Sequence, residues 1–486
     1  MTSNKKTAID YGKIVKILIA ITVFLVLWNI PSSLIGLPDI SVIEHRVIAI
    51  FGFAFIMWLT EAIPSWTTSV LIVVILLLTC SNSSISIFYD VAPGKTLGEP
   101  IPYASIMACF SDPIIMLFLG GFILASAASK LGIDVQLARL FFKPFGKRSE
   151  FVLLGFLLIT GLFSMFISNT ATAAMMLTFM APVLKQLPED GKGRIGIALA
   201  IPIGANIGGI ATPIGTPPNA IALKYLNDPE GLNMNIGFGE WVSVMLPYTL
   251  IMLFFAWILL IKLFPFKQKT IDLTIEGGAK KGKDTIIVYI TLVITILLWV
   301  LDKLTGINSN VVAMIPIAVF CVTGIFTKDD LKTINWSVLW LVAGGFALGV
   351  ALYKTGLAND LVKAIPFNTW SPIFIIIGTG VLCWMVSNII SHTATATLLL
   401  PVMVAVGIGM QDILVGFGGI RTLLIGVTLA SSLGMILPIS TPPNALAYGT
   451  GFIKVRHMEI TGVIIGVVGL ALAYLMLITL GKAGLF

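Results

Sequence analysis

The chain reads as an all-α polytopic membrane protein, and three observations carry that reading. Of its 486 residues, 57% are hydrophobic and only 11% charged, where a soluble domain carries about 25% charged residues. Apolar stretches near the ~20 residues needed to cross a hydrocarbon core recur from end to end. A set of polar, helix-breaking motifs also occurs twice at one offset, which predicts two repeats of inverted orientation.

The expected spans are 14–36, 44–63, 65–80, 113–129, 195–225, 240–263, 285–301, 309–327, 338–353, 421–447 and 458–481. Two further apolar stretches, 151–187 and 370–410, carry a polar knot at mid-length. Each arm is about 17–20 residues, long enough at 1.5 Å per residue to reach the bilayer middle and return. They read as re-entrant helical hairpins. The expectation is therefore about 11 transmembrane helices plus two hairpins.

Charge tests this layout through the cytoplasmic bias of Lys and Arg. With the N-terminus inside, 22 of the 30 Lys and Arg residues fall on the inner side and 8 on the outer. A wrong span would scramble that asymmetry. It also accounts for the net charge of +7 as topology, so no nucleic-acid partner is expected. The first span follows a basic N-terminus without a small-residue cleavage site and reads as a retained anchor. The Lys/Gly-rich 266–284 connection reads as a cytoplasmic linker between halves.

Cys80, Cys109, Cys321 and Cys383 lie far apart in or beside apolar runs and read as small core residues, with no disulfide or metal site. His45 and His457 read as surface loop residues beside Arg46 and Arg456. His392 alone lies at membrane depth, where an ionisable group points to function. Glu61 ends the second span and reads as a helix-end residue.

The duplication is specific. Ser168-Asn169-Thr170-Ala171-Thr172-Ala173 returns as Ser391-His392-Thr393-Ala394-Thr395-Ala396. Thr216-Pro217-Pro218-Asn219-Ala220 returns as Thr441-Pro442-Pro443-Asn444-Ala445, and Gly120-Gly121-Phe122 as Gly344-Gly345-Phe346. Ser, Thr and Asn are preferred helix N-caps, and Pro is tolerated in a first turn. Gly208, Gly209 and Pro213, like Gly434 and Pro438, break the helix arriving before each Thr-Pro-Pro-Asn. Four helices thus start near the bilayer middle, after Thr170, Thr216, Thr393 and Thr441. Each start carries about half a positive charge, so four could face a dianion without any Lys or Arg. A bond within its own helix is the commoner fate of any single Ser or Thr; it is the repetition that favours a binding site.

On these paired Ser-Asn-Thr-type tips, the paired Thr-Pro-Pro-Asn breaks and Thr60-Glu61-Ala62-Ile63-Pro64, the chain resembles the divalent anion:sodium symporter family, the INDY-type di- and tricarboxylate transporters. The resemblance covers nearly the whole chain. It implies an elevator-type homodimer in a bacterial inner membrane, carrying small dicarboxylates. Scaffold parts would be 1–147 (spans one to four) and 285–369 (spans seven to nine). Transport parts would be 148–265 (first hairpin, spans five and six) and 370–486 (second hairpin, spans ten and eleven). Asn169, Thr170 and Thr216 would hold one carboxylate, and Ser391, His392, Thr393, Thr441 and Pro442 the other. A first sodium site would use Ser164, Ser168, Asn169 and the Gly215 carbonyl. A second would use Ser387, Ser391, His392 and the Ser440 carbonyl. The family has Asn where this chain has His392, which removes an amide oxygen from that second set. The expected activity is therefore dicarboxylate exchange with weak or no sodium dependence, with no cofactor beyond sodium as a coupling ion. The alternatives are a sodium-coupled dicarboxylate, citrate or sulfate symporter, a channel, and, far behind, a serine hydrolase using His392, for which no GxSxG turn exists.

Overall fold

The computed structural model describes residues 10–229, 231–272, 275, 277–364 and 370–484. Lys5 and Lys6, counted above on the inner side, and the 369/370 boundary lie outside them. The described residues form helices, with β-type pairing only at the isolated bridges Ser81–Ile101 and Arg148–Thr270. Ten of these helices are long and apolar enough to cross a membrane. The number is eleven if Gln411–Phe417 and Gly419–Ser432, bent by 74°, count as one. The protein is an integral membrane protein.

Most expected spans appear with shifted ends: Val42–Thr60, Ser65–Thr79, Pro113–Lys130, Phe238–Leu263, Lys283–Val300, Trp336–Lys354 and Val455–Lys482. The first runs Tyr11–Asn29 and stops short of 36, because Pro31 has no N–H to continue the ladder. The stretch expected as one span over 309–327 is two short helices, Ser309–Val312 and Met314–Val322. Glu61 is the left-handed C-cap of Val42–Thr60, with φ 45° and ψ 38°. It reverses the chain towards Pro64, which starts the next helix.

Both hairpins and both broken spans form. Hairpin 1 is Ser149–Ser164 and Asn169–Gln186; hairpin 2 is Pro372–Ile389 and His392–Gly409. Broken span 1 is Gly193–Gly208, a 3-10 turn over Gly209–Ala211, then Pro217–Leu226. Broken span 2 is Gly419–Ser432 followed by Pro442–Gly449.

By internal packing the chain forms two compact units, Met1–Phe110 with Trp340–Pro366, and Ser111–Leu339 with Phe367–Phe486. The first holds a small apolar cluster around Ala20, Phe53, Met57 and Ala62. The repeated Gly-Gly-Phe motif has one job in each unit. A Cβ on Gly344 would lie 2.8 Å from Ser69 Oγ, and one on Gly120 would lie 2.8 Å from Ala313 Cβ. Each glycine lets two helices approach more closely than any side chain would allow. The second unit contains both hairpins and both broken spans.

Ion pairs sort by the sides assigned from charge. Lys224–Asp112 (2.8 Å), Lys303–Glu240 (3.2 Å) and Arg421–Glu240 (3.5 Å) join groups at one end of the spans. Lys130–Asp330 (2.6 Å), Lys147–Asp272 (2.6 Å) and Lys267–Asp190 join groups at the other. The hydrogen bond from Lys130 holds the Asp330 carboxyl down to about 2.

Two sequence expectations need correction. His45 and Arg46 are not surface loop residues. The Ser41/Glu44 capping box starts the helix ahead of them, and both are buried. Arg46 Nη1 donates to the Thr79 carbonyl at 2.8 Å, and its guanidinium lies over Trp28 and Phe88. His457 likewise lies in a helix, where its Nδ1 accepts the Lys454 N–H. Cys321 is exposed, unlike the other three cysteines. The 266–284 connection is tied to the elements beside it. Ser149 N–H donates to the Lys269 carbonyl (3.0 Å), Ile271 N–H to Lys147 (2.7 Å), and the Gln186 amide pairs both ways with Asp272. Further along, Lys280 N–H donates to the Leu131 carbonyl at 2.9 Å. Backbone groups freed from helices find partners here, and polar composition alone does not foretell that.

Hairpin 1 rests on broken span 1 through a glycine contact. A Cβ on Gly208 would lie 2.7 Å from the Gly161 carbonyl carbon, whereas one on Gly416 would meet nothing within 4 Å. Overpacking costs about 1–3 kcal/mol. Gly208→Ala should therefore lower the thermal midpoint of the purified protein, while Gly416→Ala leaves it unchanged.

Candidate functional site

The site is built from the two hairpin tips and the two helix breaks. At tip 1, Ser168 is the N-cap, its Oγ accepting from Ala171 N at 3.3 Å. At tip 2, Ser391 does the same for Ala394 N at 3.3 Å. The serines, not Thr170 and Thr393, are thus the caps. Each threonine is the second residue of its helix, half-buried, with a hydroxyl uncommitted among the described residues. Those hydroxyls are free for a ligand.

At the breaks, Thr216 and Thr441 are N-caps with extended backbone. The two prolines that follow lack N–H groups, so the first turn leaves fewer buried donors unmet. Thr441 Oγ1 accepts from Asn444 N at 3.2 Å, whereas Thr216 makes no side-chain cap. Both threonines are buried, and Pro442 is exposed beside Thr441.

The asparagine closing each Thr-Pro-Pro-Asn sews the break shut. Asn219 Nδ2 donates to the carbonyls of Gly209 (3.0 Å), Ile210 (3.1 Å) and Thr212 (2.8 Å). Asn444 Nδ2 donates to those of Met435 (2.9 Å) and Leu437 (3.0 Å). Two acceptors match at the offset of the repeat, Ile210 with Met435 and Thr212 with Leu437, whereas the counterpart of Gly209, Gly434, pairs with His392. Trp241 Nε1 adds a bond to Ile210, and Trp384 Nε1 one to Leu433, each at 3.1 Å. An unmet carbonyl costs heavily at membrane depth, which is why an irregular stretch survives here.

The repeats interlock. Helix Pro442–Gly449 packs on Asn169–Gln186, and Pro217–Leu226 packs on His392–Gly409. Each post-break helix thus lies against the hairpin of the other repeat.

Of the first expected sodium set, Ser164, Asn169 and the Gly215 carbonyl lie close together, while Ser168 Oγ serves as the helix cap. Ser164 Oγ lies 2.6 Å from Asn169 Oδ1 and 2.8 Å from the Ala205 carbonyl oxygen, and its single proton serves one of them at a time. A Cβ on Gly209 would lie 2.7 Å from Asn169 Oδ1 and 3.0 Å from the Gly215 carbonyl oxygen. Hydroxyl, amide and carbonyl oxygens of this kind suit a small hard cation. The second set differs. Ser387 Oγ donates to the Ser431 carbonyl (2.5 Å), matching Ser164 with Ala205. Ser440 Oγ donates to the Asn388 carbonyl at 2.9 Å. In place of an amide oxygen, His392 Nε2 lies 2.7 Å from the Gly434 carbonyl. A carbonyl can only accept, so Nε2 carries the proton and donates.

The chain matches the family described as "Sodium:sulfate symporter transmembrane region" over residues 12–483. It belongs to this family. Family relatives include the "Sodium-dependent dicarboxylate transporter SdcS" of Staphylococcus saprophyticus, 28% identical over 95% of this chain and 90% of the relative. The protein of the same name from Staphylococcus aureus strain USA300 is 29% identical over 90% and 86%. An "Uncharacterized transporter" of Schizosaccharomyces pombe is 31% identical over 83% of the chain, which spans 45% of that longer protein. Among solved structures, the Alcanivorax borkumensis YdaH transporter (TM-score 0.56) and Neisseria gonorrhoeae MtrF (0.51) share the fold, each at 13% identity. They cover 87% and 86% of the chain respectively. Membership makes the protein a membrane transporter.

Sequence reasoning read the Thr-Pro-Pro-Asn motifs as caps and missed their asparagines, although recurrence in both copies was a visible signal. It also missed Asn206, whose counterpart in the other half is a serine. Removing the Nδ2 donors should show the sewing role. Each unmet carbonyl costs about 1–3 kcal/mol, so Asn219→Ala and Asn444→Ala should each lower the thermal midpoint by several degrees or more in detergent.

Proposed function

We propose that the protein is a secondary transporter of C4/C5 dicarboxylates, the class of succinate, malate, fumarate and 2-oxoglutarate. What carries the reading is the repeated pair of tip and break, with uncommitted hydroxyls at Thr170, Thr216 and Thr393 and no Lys or Arg in any of the four motifs. Such a site holds an anion by helix N-termini and hydroxyl donors. The names of the staphylococcal relatives support a dicarboxylate as that anion. Asn169, Thr170 and Thr216 would hold one carboxylate, and Ser391, Thr393, Thr441 and the edge of Pro442 the other. His392 would shape the second tip.

The protein would work as a homodimer in a bacterial inner membrane, N-terminus in the cytoplasm, by an elevator motion. Residues 148–265 and 370–486 would move against 1–147 and 285–369. This division follows function, and the contact-based units differ from it at 111–147 and 285–339.

For coupling, we favour exchange with weak or no dependence on sodium. His392 commits an N–H to the Gly434 carbonyl and supplies no oxygen where a second cation would need one. An imidazole donor there orders the tip without an ion, so the second half-site stays set for an anion and the empty carrier crosses slowly. Sodium-coupled symport is the second reading. It is favoured by the gathered oxygens of Ser164, Asn169 and Gly215 and by the relatives' names.

The test is uptake of labelled succinate into liposomes preloaded with unlabelled succinate, in choline against sodium buffer. Exchange predicts uptake that needs internal substrate and persists in choline, and His392→Asn should shift it towards sodium dependence. Uptake that requires an inward sodium gradient and ignores internal substrate selects symport. No carboxylate uptake in either buffer overturns the dicarboxylate reading.

A further inference from the structure

Asn206 sits in the pre-break helix of broken span 1, outside both tips and both Thr-Pro-Pro-Asn motifs, and is 1% exposed. Its Nδ2 donates across the repeats to Thr441 Oγ1 and to Asn444 Oδ1, each at 3.1 Å. The orientations are forced by chemistry. Asn444 Nδ2 faces the carbonyls of Met435 and Leu437, which can only accept, so Asn444 must turn its Oδ1 to Asn206. Asn206 must then present its NH2.

The consequence falls on Thr441. Its oxygen accepts from Asn206 Nδ2 and from Asn444 N–H, which fills both lone pairs of a hydroxyl. Only its proton remains, so this hydroxyl is obliged to donate. The other half has no such device. At the offset that pairs Thr216 with Thr441, the counterpart of Asn206 is Ser431, whose Oγ donates to the Thr428 carbonyl at 2.7 Å, and Thr216 makes no cap bond. The Asn206 Oδ1 is itself buried without a partner, a standing cost that packing alone would not favour.

We propose that Asn206 is a positioning residue that locks Thr441 as a hydrogen-bond donor, making the second half-site selective for an ionised oxyanion while the first stays adaptable. This rests on the dicarboxylate site proposed above. A locked donor welcomes a carboxylate, which only accepts, and discriminates against an amide, which must place an N–H somewhere. Freed from Asn206, the Thr441 hydroxyl can rotate and accept as well as donate, and the discrimination weakens.

The experiment measures competition with labelled succinate uptake in proteoliposomes, by unlabelled succinate and by its monoamide, succinamate. Asn206→Leu keeps the volume and removes the donor, and Asn206→Ala is the second variant if the first does not assemble. A hydrogen bond to a charged group is worth roughly tenfold or more in affinity. The ratio of the two inhibition constants should therefore shrink at least several-fold in either variant. A mere packing defect would weaken both competitors alike and leave the ratio at its wild-type value, which overturns the proposal. So does failure of both variants to yield a monodisperse protein, because Asn206 is then structural. Thr441→Val separates the two levels. If it keeps wild-type succinate affinity, the site assignment itself fails. If it loses affinity while the Asn206 variants keep the wild-type ratio, only the role of Asn206 fails.

Discussion

Everything in the candidate site depends on meeting the backbone hydrogen bonds of two broken, buried helices. To place helix N-termini in the middle of a membrane protein, two spans must break, and each break exposes carbonyls that a continuous helix would have satisfied. Asn219 and Asn444 supply the donors, from the first turn of the helix that follows the break. The Pro-Pro pair ahead of each asparagine removes N–H groups that would otherwise need acceptors. Thr-Pro-Pro-Asn is thus one device: a cap, a donor-free start and a clamp.

Repetition of that device builds two half-sites, and their differences are as informative as their likeness. Ser164 and Ser387 make the same bond to the pre-break helix. Beyond that the halves diverge. Asn169 offers an oxygen where His392 offers an N–H, Gly215 stands where Ser440 ties down the Asn388 carbonyl, and Asn206 faces Thr441 where the counterpart Ser431 bonds back to its own helix. Oxygen atoms thus gather in the first half, while in the second the His392 and Ser440 donors are tied to backbone carbonyls and Thr441 keeps a proton to give. A cation and an anion would be served by that division without a fixed charge on the protein.

Helical class, span order, hairpins and breaks were legible because they rest on local signals: apolar length, Gly and Pro positions, cap residues, and a duplication that marks what each half must keep. The tips were legible as helix starts for the same reason, although Ser168 and Ser391, two residues before the threonines, are the caps. The role of Asn219 and Asn444 was within reach, since both copies keep the amide. The clasp by Asn206 was not, because it spans 235 positions of sequence and lacks a repeated partner. Reading His45 and its neighbour Arg46 as a surface loop misled, since Arg46 is buried against Trp28 and Phe88, and the polar composition of 266–284 gave no sign that its backbone groups pair with hairpin 1. Long-range partners of polar groups are set by tertiary packing, and composition does not encode them.

The central claim is that the tips of both repeats close on one substrate. Single cysteines at Ser168 and at Ser391, each in an otherwise cysteine-free protein, can be labelled with a membrane-permeant thiol reagent in the presence of rising succinate. A shared site predicts that the same succinate concentration protects both positions. Protection of one cysteine alone, with the other labelled at an unchanged rate, would contradict it.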